Sequence, residues 1–255
     1  MKRAGALIGA ILWIPAGAFA QSSPDTGAGV EFSFGAGVQV RPEYFGSDEY
    51  ETQPDFKLSL EEVRFGNGRS FGGDPADGLS FRGSFRSIGE RDSDDFGELD
   101  GLDDIDRALE LGFGIVYTQP GYEVFADLRQ GFGGHESLVG EVGADAILRP
   151  TDQLSMSVGP RVFFGSDDYA ETYFGITEEE AAASDFDAFD PEGGALSAGL
   201  EVGVSYRFND RWSVDGAVAY DRYLGDAADS PIMEEGSEDQ YTARVGLVRT
   251  FSFGF

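Results

Sequence analysis

The chain has 255 residues, of which 47 are Asp or Glu, 18 are Lys or Arg and none is Cys, and its formal net charge is −29. This charge argues against nucleic acid as the main partner, because phosphate binding needs clustered Lys and Arg. The lack of Cys excludes disulfides, Cys-ligated zinc and thiol catalysis. An aromatic content of 13% is too high for a disordered acidic tail, so we expect a folded chain.

The first segment predicts export. Two basic residues precede an apolar run that ends in Ala18-Phe19-Ala20, the small-x-small pattern that signal peptidase cleaves. We interpret residues 1–20 as a signal peptide and residues 21–255 as the mature domain. A membrane anchor is the alternative, but the run is broken by a proline and a glycine and falls short of the roughly 20 apolar residues of a comfortable span.

Alternating hydrophobicity predicts β-strands in the mature domain. Residues 195–208 read ALSAGLEVGVSYRF, with apolar residues at even positions and mostly small or polar residues at odd ones. This period of two is typical of a strand with two different faces, and its length suits a strand that crosses a bilayer at a tilt. We predict ten strands. Nine further stretches show the pattern: residues 32–40, 56–60, 81–85, 109–117, 122–128, 138–148, 154–164, 212–220 and 241–255.

The connections alternate between short and long, as an up-and-down barrel requires. Short turns at residues 119–121, 149–152 and 209–210 are expected on the periplasmic side, and long polar loops are expected outside. One inner connection, residues 62–78, is too long for this rule. It could hide a hairpin of Val63 to Phe65 against Arg69 to Phe71, so twelve strands is the fallback.

Charge placement distinguishes a membrane barrel from a soluble one. A soluble sandwich or lipocalin-like barrel needs an apolar inner face, whereas a membrane barrel has a polar lumen and lipid outside. We therefore predict an all-β, transmembrane, antiparallel barrel in the outer membrane, with membrane lipid and lipopolysaccharide as its surroundings. The charged residues on the polar phase are Lys57, Arg82, Arg86, Arg129, Arg161, Arg207, Arg244, Glu110, Glu123, Asp127, Glu141, Asp145, Glu201, Asp215 and Asp221.

Two details of this charge pattern lead to further predictions. The near balance of acids and bases predicts paired charges that fill a narrow interior, so a general porin is disfavoured. Arg249 does not fit, because strict alternation points it outward. A bulge near Val248, or extension of the side chain to the periplasmic interface, could accommodate it.

The sequence resembles the MipA/OmpV family of outer-membrane proteins. Residues Pro42 to Ser47 match the P-x-Y-x-G-S signature near the start of the mature family members, and other matching blocks follow in order. The resemblance implies an outer-membrane barrel and, for the family's namesake, a scaffolding role that joins a lytic transglycosylase to a murein synthase. The other blocks are residues 102–105, 133–135, 173–177, 181–184 and 225–232.

The long loops are acidic, and 29 of the 47 acidic residues lie in residues 43–51, 90–106, 165–194 and 225–240. They could bind divalent cations, but a solvated surface is the favoured interpretation. No stretch fits an EF-hand, because the partial spacing of Asp92, Asp94 and Gly97 places Phe96 where an oxygen ligand is required. Thr177-Glu178-Glu179-Glu180 is a capping box, which predicts a short helix through Ala183 as a lid element.

One motif raises the possibility of an enzyme. His135 and Ser137 share one strand face, which resembles the His-x-Ser pair of outer-membrane lipid hydrolases. They are in phase with Glu141 and Asp145, however, and therefore face the lumen, whereas lipid hydrolysis needs a dyad directed toward the bilayer. A histidine at a loop end is the favoured interpretation.

The sequence thus predicts a non-enzymatic outer-membrane barrel of the MipA/OmpV type, with no catalytic, cofactor-binding or metal-binding residues assigned. Its periplasmic side is predicted to scaffold a murein synthase and a lytic transglycosylase in peptidoglycan biogenesis. A narrow solute channel or a surface adhesin is the first alternative. A lipid hydrolase that uses His135 and Ser137 is the second.

Overall fold

The structure is a computed structural model that describes residues 27–67, 69–72, 78–93 and 96–255, with residues 69–72 described as backbone. The signal peptide predicted at residues 1–20 lies outside these residues. In the described part, no helix is long and apolar enough to cross a membrane. The strands are β1 (Gly29–Pro42), β2 (Tyr50–Phe65), β3 (Arg69–Gly72), β4 (Gly78–Ile88), β5 (Ala108–Gln119), β6 (Tyr122–Gly133), β7 (Leu138–Leu148), β8 (Leu154–Gly165), β9 (Gly194–Asn209), β10 (Trp212–Tyr223) and β11 (Asp239–Gly254). The helices are α1 (Asp167–Phe174), α2 (Glu178–Ala183) and α3 (Pro231–Glu235), with 3-10 turns at Gly97–Leu99 and Gly225–Ala227.

The strands form one antiparallel sheet with the order β3-β2-β1-β11-β10-β9-β8-β7-β6-β5-β4. The sheet curls until β2 contacts β4, so ten long strands make a nearly closed barrel. Each of the ten predicted strands is present, and the prediction of an up-and-down membrane barrel is confirmed.

The inner connection holds the predicted hairpin in a reduced form. Val63 pairs with Phe71 and Phe65 pairs with Arg69. The strand β3 has only 4 residues and pairs with the periplasmic end of β2, so it does not add a membrane crossing. The twelve-strand fallback is therefore not realised in the described chain.

The outer face of the barrel is apolar. Large apolar side chains such as Phe113 (61%) and Val218 (54%) are exposed because the sheet has no second layer there, and in a bilayer they face lipid.

Arg249 also points outward, and its guanidinium lies 5.2 Å from the ring centroid of Trp212 and 4.8 Å from that of Phe251. The register of β11 is continuous through Val248 and Arg249. The suggested bulge is therefore wrong, and the side chain is accommodated by aromatic rings.

The lumen is crossed by ion pairs, as the balanced charges predicted. Arg82 donates to Asp127 at 2.8 Å, and Arg161 lies 2.9 Å from Asp145. Further pairs join Lys57 to Asp215 (2.8 Å), Arg244 to Glu201 (2.7 Å) and Arg129 to Glu110 (2.9 Å). These contacts link side chains of different strands.

The clustered apolar core lies at the outer end of the barrel. Two clusters of buried apolar side chains lie there, in the long loops and the adjoining strand ends. The larger cluster includes Tyr169, Tyr173 and Phe174 of α1, and the smaller one includes Tyr44 and Leu102. We call this packed assembly of outer loops, helices α1 to α3 and strand ends the outer cap.

Candidate functional site

The loop between β1 and β2 is the centre of the outer cap. Its Phe45 packs edge-on against Tyr173, with ring centroids 5.0 Å apart, and lies 6.1 Å from Tyr223 of β10. Gly46 has φ +102, a left-handed conformation that favours glycine, and a Cβ there would lie 2.8 Å from Sδ of Met233. The P-x-Y-x-G-S segment therefore provides both an aromatic anchor and a close approach to α3.

Tyr44 of the same loop connects the cap to the loop between β4 and β5. Its hydroxyl donates to Glu98 Oε1 at 3.0 Å, and its ring lies 5.0 Å from that of Phe96. Burial and the hydrogen bond to Glu98 both raise the pKa of Tyr44 above its ordinary value. The tyrosine is therefore a neutral donor that ties two loops together.

The blocks that carry the family resemblance, although dispersed in sequence, meet in this cap. Leu102 packs with Tyr44, Ile176 and Ile232 in one cluster. Tyr173, Phe174 and Ala227 pack in the other cluster, where His135 stacks edge-on against Tyr169 at 5.0 Å. The matching residues thus mark the outer end of the barrel, far along the strands from the periplasmic turns.

The predicted capping box is confirmed. Thr177 Oγ1 accepts from the backbone N–H of Glu180 at 3.2 Å, and Glu180 Oε2 accepts from the N–H of Thr177 at 2.8 Å. The other oxygen, Oε1, accepts from the N–H of Asp103 at 2.9 Å. Burial opposes ionisation of this carboxyl, but the hydrogen bonds from Asp103 and Thr177 outweigh it and lower the pKa of Glu180. The short helix α2 is therefore held to a second loop through one carboxylate.

His135 and Ser137 do not form a hydrolytic dyad in this structure. His135 Nδ1 accepts from the backbone N–H of Ser137 at 3.3 Å, so this nitrogen does not receive the serine hydroxyl. The other nitrogen, Nε2, lies 3.4 Å from Glu110 Oε1. Both residues are buried beneath the cap on the luminal side, as their phase predicted. The imidazole packs against tyrosine rings and has no access to lipid.

A cavity of about 1090 Å³ occupies the lumen below the cap. Phe45, Tyr173 and Tyr223 line its outer end, and charged side chains line its walls. Arg86 lies there with its guanidinium 4.6 Å from the ring centroid of Phe163. This outer part of the lumen is the candidate functional site, because a buried polar space meets the cap there.

Two parts of this site were not among the features predicted from the sequence. Helix α1 lies within residues 165–194, which the sequence predicts as a long polar loop, although Tyr169, Ala170, Tyr173 and Phe174 have the i, i+1, i+4, i+5 spacing of a buried helical face. Arg86 was recognised as luminal, but nothing in its sequence context separates it from the other luminal arginines.

The described residues contain no group of three or more His, Cys, Asp or Glu side chains placed to hold a metal ion. Of the partial EF-hand spacing, Asp94 lies outside the described residues. The structure therefore adds no support to a calcium site in this loop.

A family model described as MltA-interacting protein MipA matches residues 34–251. The chain belongs to this family. The MltA-interacting protein of Escherichia coli strain K12 is 29% identical over 245 residues, which cover 89% of this chain and 94% of that protein. The outer membrane protein OmpV of Vibrio cholerae is 35% identical over 77 residues, 30% of this chain and 29% of that protein. With the lipid-facing barrel, these relatives identify an outer-membrane protein.

Two solved structures of outer-membrane proteins also resemble this MipA-family chain. The COG4313 outer membrane channel from Pseudomonas putida F1 is 11% identical, with a TM-score of 0.45 over 91% of this chain and 100% of that one. The outer membrane protein OprG from Pseudomonas aeruginosa is 13% identical, with a TM-score of 0.33 over 89% of this chain and 98% of that one. Similarities this low carry no functional inference.

Proposed function

We propose that this barrel is a non-enzymatic anchor that holds a lytic transglycosylase, together with a murein synthase, at the inner surface of the outer membrane. The observation that carries the proposal is the similarity to an MltA-interacting protein over 89% of the chain. The proposal includes removal of residues 1–20 during export, which leaves the barrel as the mature chain.

The periplasmic rim offers a rigid surface for such partners. Its turns are joined to neighbouring strands by backbone hydrogen bonds, from Ile147 N–H to Gly121 O (2.9 Å) and from Thr250 N–H to Arg211 O (2.9 Å). A docking surface that is already ordered loses little conformational entropy on binding.

The charge of part of this rim differs from that of the outer loops. Arg149, Arg207 and Arg211 are exposed there, and the same turns carry the exposed acids Asp152 and Asp210. Exposed arginines at a rim increase association rates with acidic surfaces and supply bidentate hydrogen bonds to carboxylates. We propose that the partners contact this basic part of the rim.

The test is a pull-down of periplasmic murein synthases and lytic transglycosylases with the purified full-length barrel. We expect enrichment over an unrelated ten-strand barrel, and at least a tenfold loss of capture when Arg149, Arg207 and Arg211 are all changed to Gln. Arg222→Gln, which removes an exposed arginine from the outer end, is the matched control and should capture normally. No enrichment over the unrelated barrel would remove the scaffold proposal, and stepwise conductance in planar bilayers would favour the channel.

A further inference from the structure

Arg86 differs from Arg82, Arg129 and Arg161, each of which is hydrogen-bonded to a luminal carboxylate. The closest carboxylate to Arg86 is Glu110, whose Oε1 lies 3.8 Å from Arg86 Nη1, beyond hydrogen-bonding distance. Glu110 is instead hydrogen-bonded to Arg129 at 2.9 Å. The guanidinium of Arg86 has no hydrogen bond in the described chain, and its side chain is 31% exposed, to the cavity. Its donors are therefore available to a ligand.

A luminal carboxylate at the same end of the barrel, Asp221, has no partner among the described ion pairs. Asp221 lines the same cavity and forms no ion pair in the described chain. Asp221 lies on β10 two residues before Tyr223, and in the described chain no ion pair joins it to Arg86. The guanidinium of Arg86 and the carboxylate of Asp221 therefore line one cavity without an ion pair between them, whereas Arg82 and Asp127 meet at 2.8 Å.

Two tyrosines line the same part of the cavity. The rings of Tyr223 and Tyr173 lie 6.1 and 5.0 Å from the ring of Phe45, and the guanidinium of Arg86 lies 5.7 Å from the same ring. Arg86 and the two tyrosines therefore surround Phe45. Tyr173, only 4% exposed, lines the cavity from the cap, and its hydroxyl has no hydrogen-bond partner in the described residues. A buried hydroxyl without a partner is costly unless a ligand or water satisfies it.

The cavity has a route to the outer surface. Glu90 and Arg107 also line it, and their side chains are 65% and 64% exposed. They form a loose pair, with 3.7 Å between Arg107 Nη2 and Glu90 Oε2. Because these lining residues are exposed, the cavity reaches solvent beside this pair.

We propose that Arg86, Asp221, Tyr173 and Tyr223 form a binding site for a small zwitterion, an amino acid or a short peptide. The ligand carboxylate accepts hydrogen bonds from Arg86, and its ammonium group donates to Asp221. A simple anion would be repelled by Asp221 and a simple cation by Arg86, so a ligand that carries both charges fits best. The tyrosine faces add a cation–π contribution to ammonium binding.

The first test uses the wild-type barrel in detergent and isothermal titration calorimetry. The probes are alanine, dialanine and trialanine, each compared with its N-acetyl form, which lacks the ammonium group, and its amide, which lacks the carboxylate. We expect at least one free zwitterion to bind about tenfold or more tightly than both of its blocked forms. If none of the zwitterions binds, or if the blocked forms bind as well, the proposal is overturned.

The second test assigns the two charges with variants. Asp221→Asn should abolish the preference for the free form over the N-acetyl form, and Arg86→Lys should reduce the preference over the amide. Asp55→Asn is the control, because Asp55 lines the same cavity and also has no ion pair in the described chain. It should leave both preferences unchanged. An Asp55→Asn effect equal to that of Asp221→Asn would contradict the proposed position, and heat-modified electrophoresis confirms that each variant is folded.

Discussion

The two ends of this barrel are stabilised in different ways. At the outer end, loops from five connections pack aromatic and aliphatic side chains into the outer cap, and Tyr169, Phe174 and Ile232 are at most 1% exposed. At the periplasmic end, the short turns are held mainly by backbone hydrogen bonds such as Arg207 N–H to Gln153 O at 2.8 Å. The outer end can therefore enclose a small molecule, whereas the periplasmic end presents a rigid surface.

The difference bears on both proposals. The residues that match the family motif build the cap, while the proposed murein partners would contact the opposite rim. A ligand site under the cap and a docking surface on the rim can coexist, because the two ends are separated by the full length of the barrel strands. If the two ends depend on different interactions, substitutions at the outer end and at the periplasmic rim should differ in their effects.

The largest effect is expected from Glu110→Ala. Glu110 is fully buried and contacts Arg129 at 2.9 Å, so its removal takes the closest carboxylate from a cation with 3% side-chain exposure. Breaking a buried pair in this way costs about 3–5 kcal/mol. Urea unfolding in lipid vesicles, followed by the fluorescence of Trp212, measures the change.

The control for Glu110→Ala is Arg222→Ala, which breaks an exposed pair with Glu238. Exposed pairs contribute about 1 kcal/mol or less. Equal losses in the two variants would show that the luminal network at the outer end contributes no more than surface charges do.

Phe45→Ala should weaken the cap without opening the barrel. The half-buried ring touches Tyr173, Phe174 and Tyr223. Its loss should cost about 2 kcal/mol, below the 3–5 kcal/mol of a fully buried phenylalanine. We expect faster hydrogen exchange in α1 and faster proteolysis of the outer loops on intact cells.

The control for Phe45→Ala is Phe113→Ala, because Phe113 is 61% exposed on the lipid-facing side. This variant should leave exchange in α1 unchanged. Equal acceleration in both variants would mean that the cap and the barrel wall open together, and the contrast between the two ends would then fail.

Sequence patterns predicted the barrel because the alternation of apolar and polar residues, with a period of two, is a local pattern. Each strand, such as residues 195–208, shows its lipid-facing phase without reference to any other strand. The capping box at Thr177 and Glu180 was equally readable, because both of its partners lie within four residues. Such features can be predicted from residues that are neighbours in the sequence.

The contacts of the outer cap and the pairing of the luminal arginines could not be predicted in the same way. Phe45 meets Tyr173 and Tyr223 only after the sheet has curled, and no local pattern indicates these contacts. Arg86 and Arg129 occupy the same phase of different strands. Strand register places Arg129 2.9 Å from Glu110 and leaves Arg86 at 3.8 Å. Long-range geometry therefore determines which luminal residue remains available for a ligand.

Acid should loosen the cap at α2 before it affects the periplasmic rim. Because hydrogen bonds lower the pKa of Glu180 in the folded chain, its contribution is complete above the ordinary glutamate pKa of about 4.3. The contribution is lost as the pH falls further through the lowered value. Hydrogen exchange at Asp103 N–H should therefore accelerate below about pH 4 by an amount equivalent to about 1 kcal/mol.

Glu180→Gln should remove this acid dependence, since an amide oxygen accepts hydrogen bonds at any pH. Glu178→Gln, an exposed change in the first turn of the same helix, should keep it. If the acid response of Asp103 N–H persists in Glu180→Gln, another carboxyl controls this contact.

The smallest effect is expected at the periplasmic rim from Arg149→Ala. Arg149 donates to Pro120 O at 2.6 Å, but the bond is exposed and water can replace the guanidinium. The free energy of unfolding should change by less than about 0.5 kcal/mol, because the backbone hydrogen bond from Ile147 to Gly121 still holds the turn. Urea unfolding of this variant beside Glu110→Ala gives the comparison. A loss above about 1 kcal/mol would show that side chains, and not the backbone, hold the rim, and partner capture by the rim variants would then have to be corrected for instability.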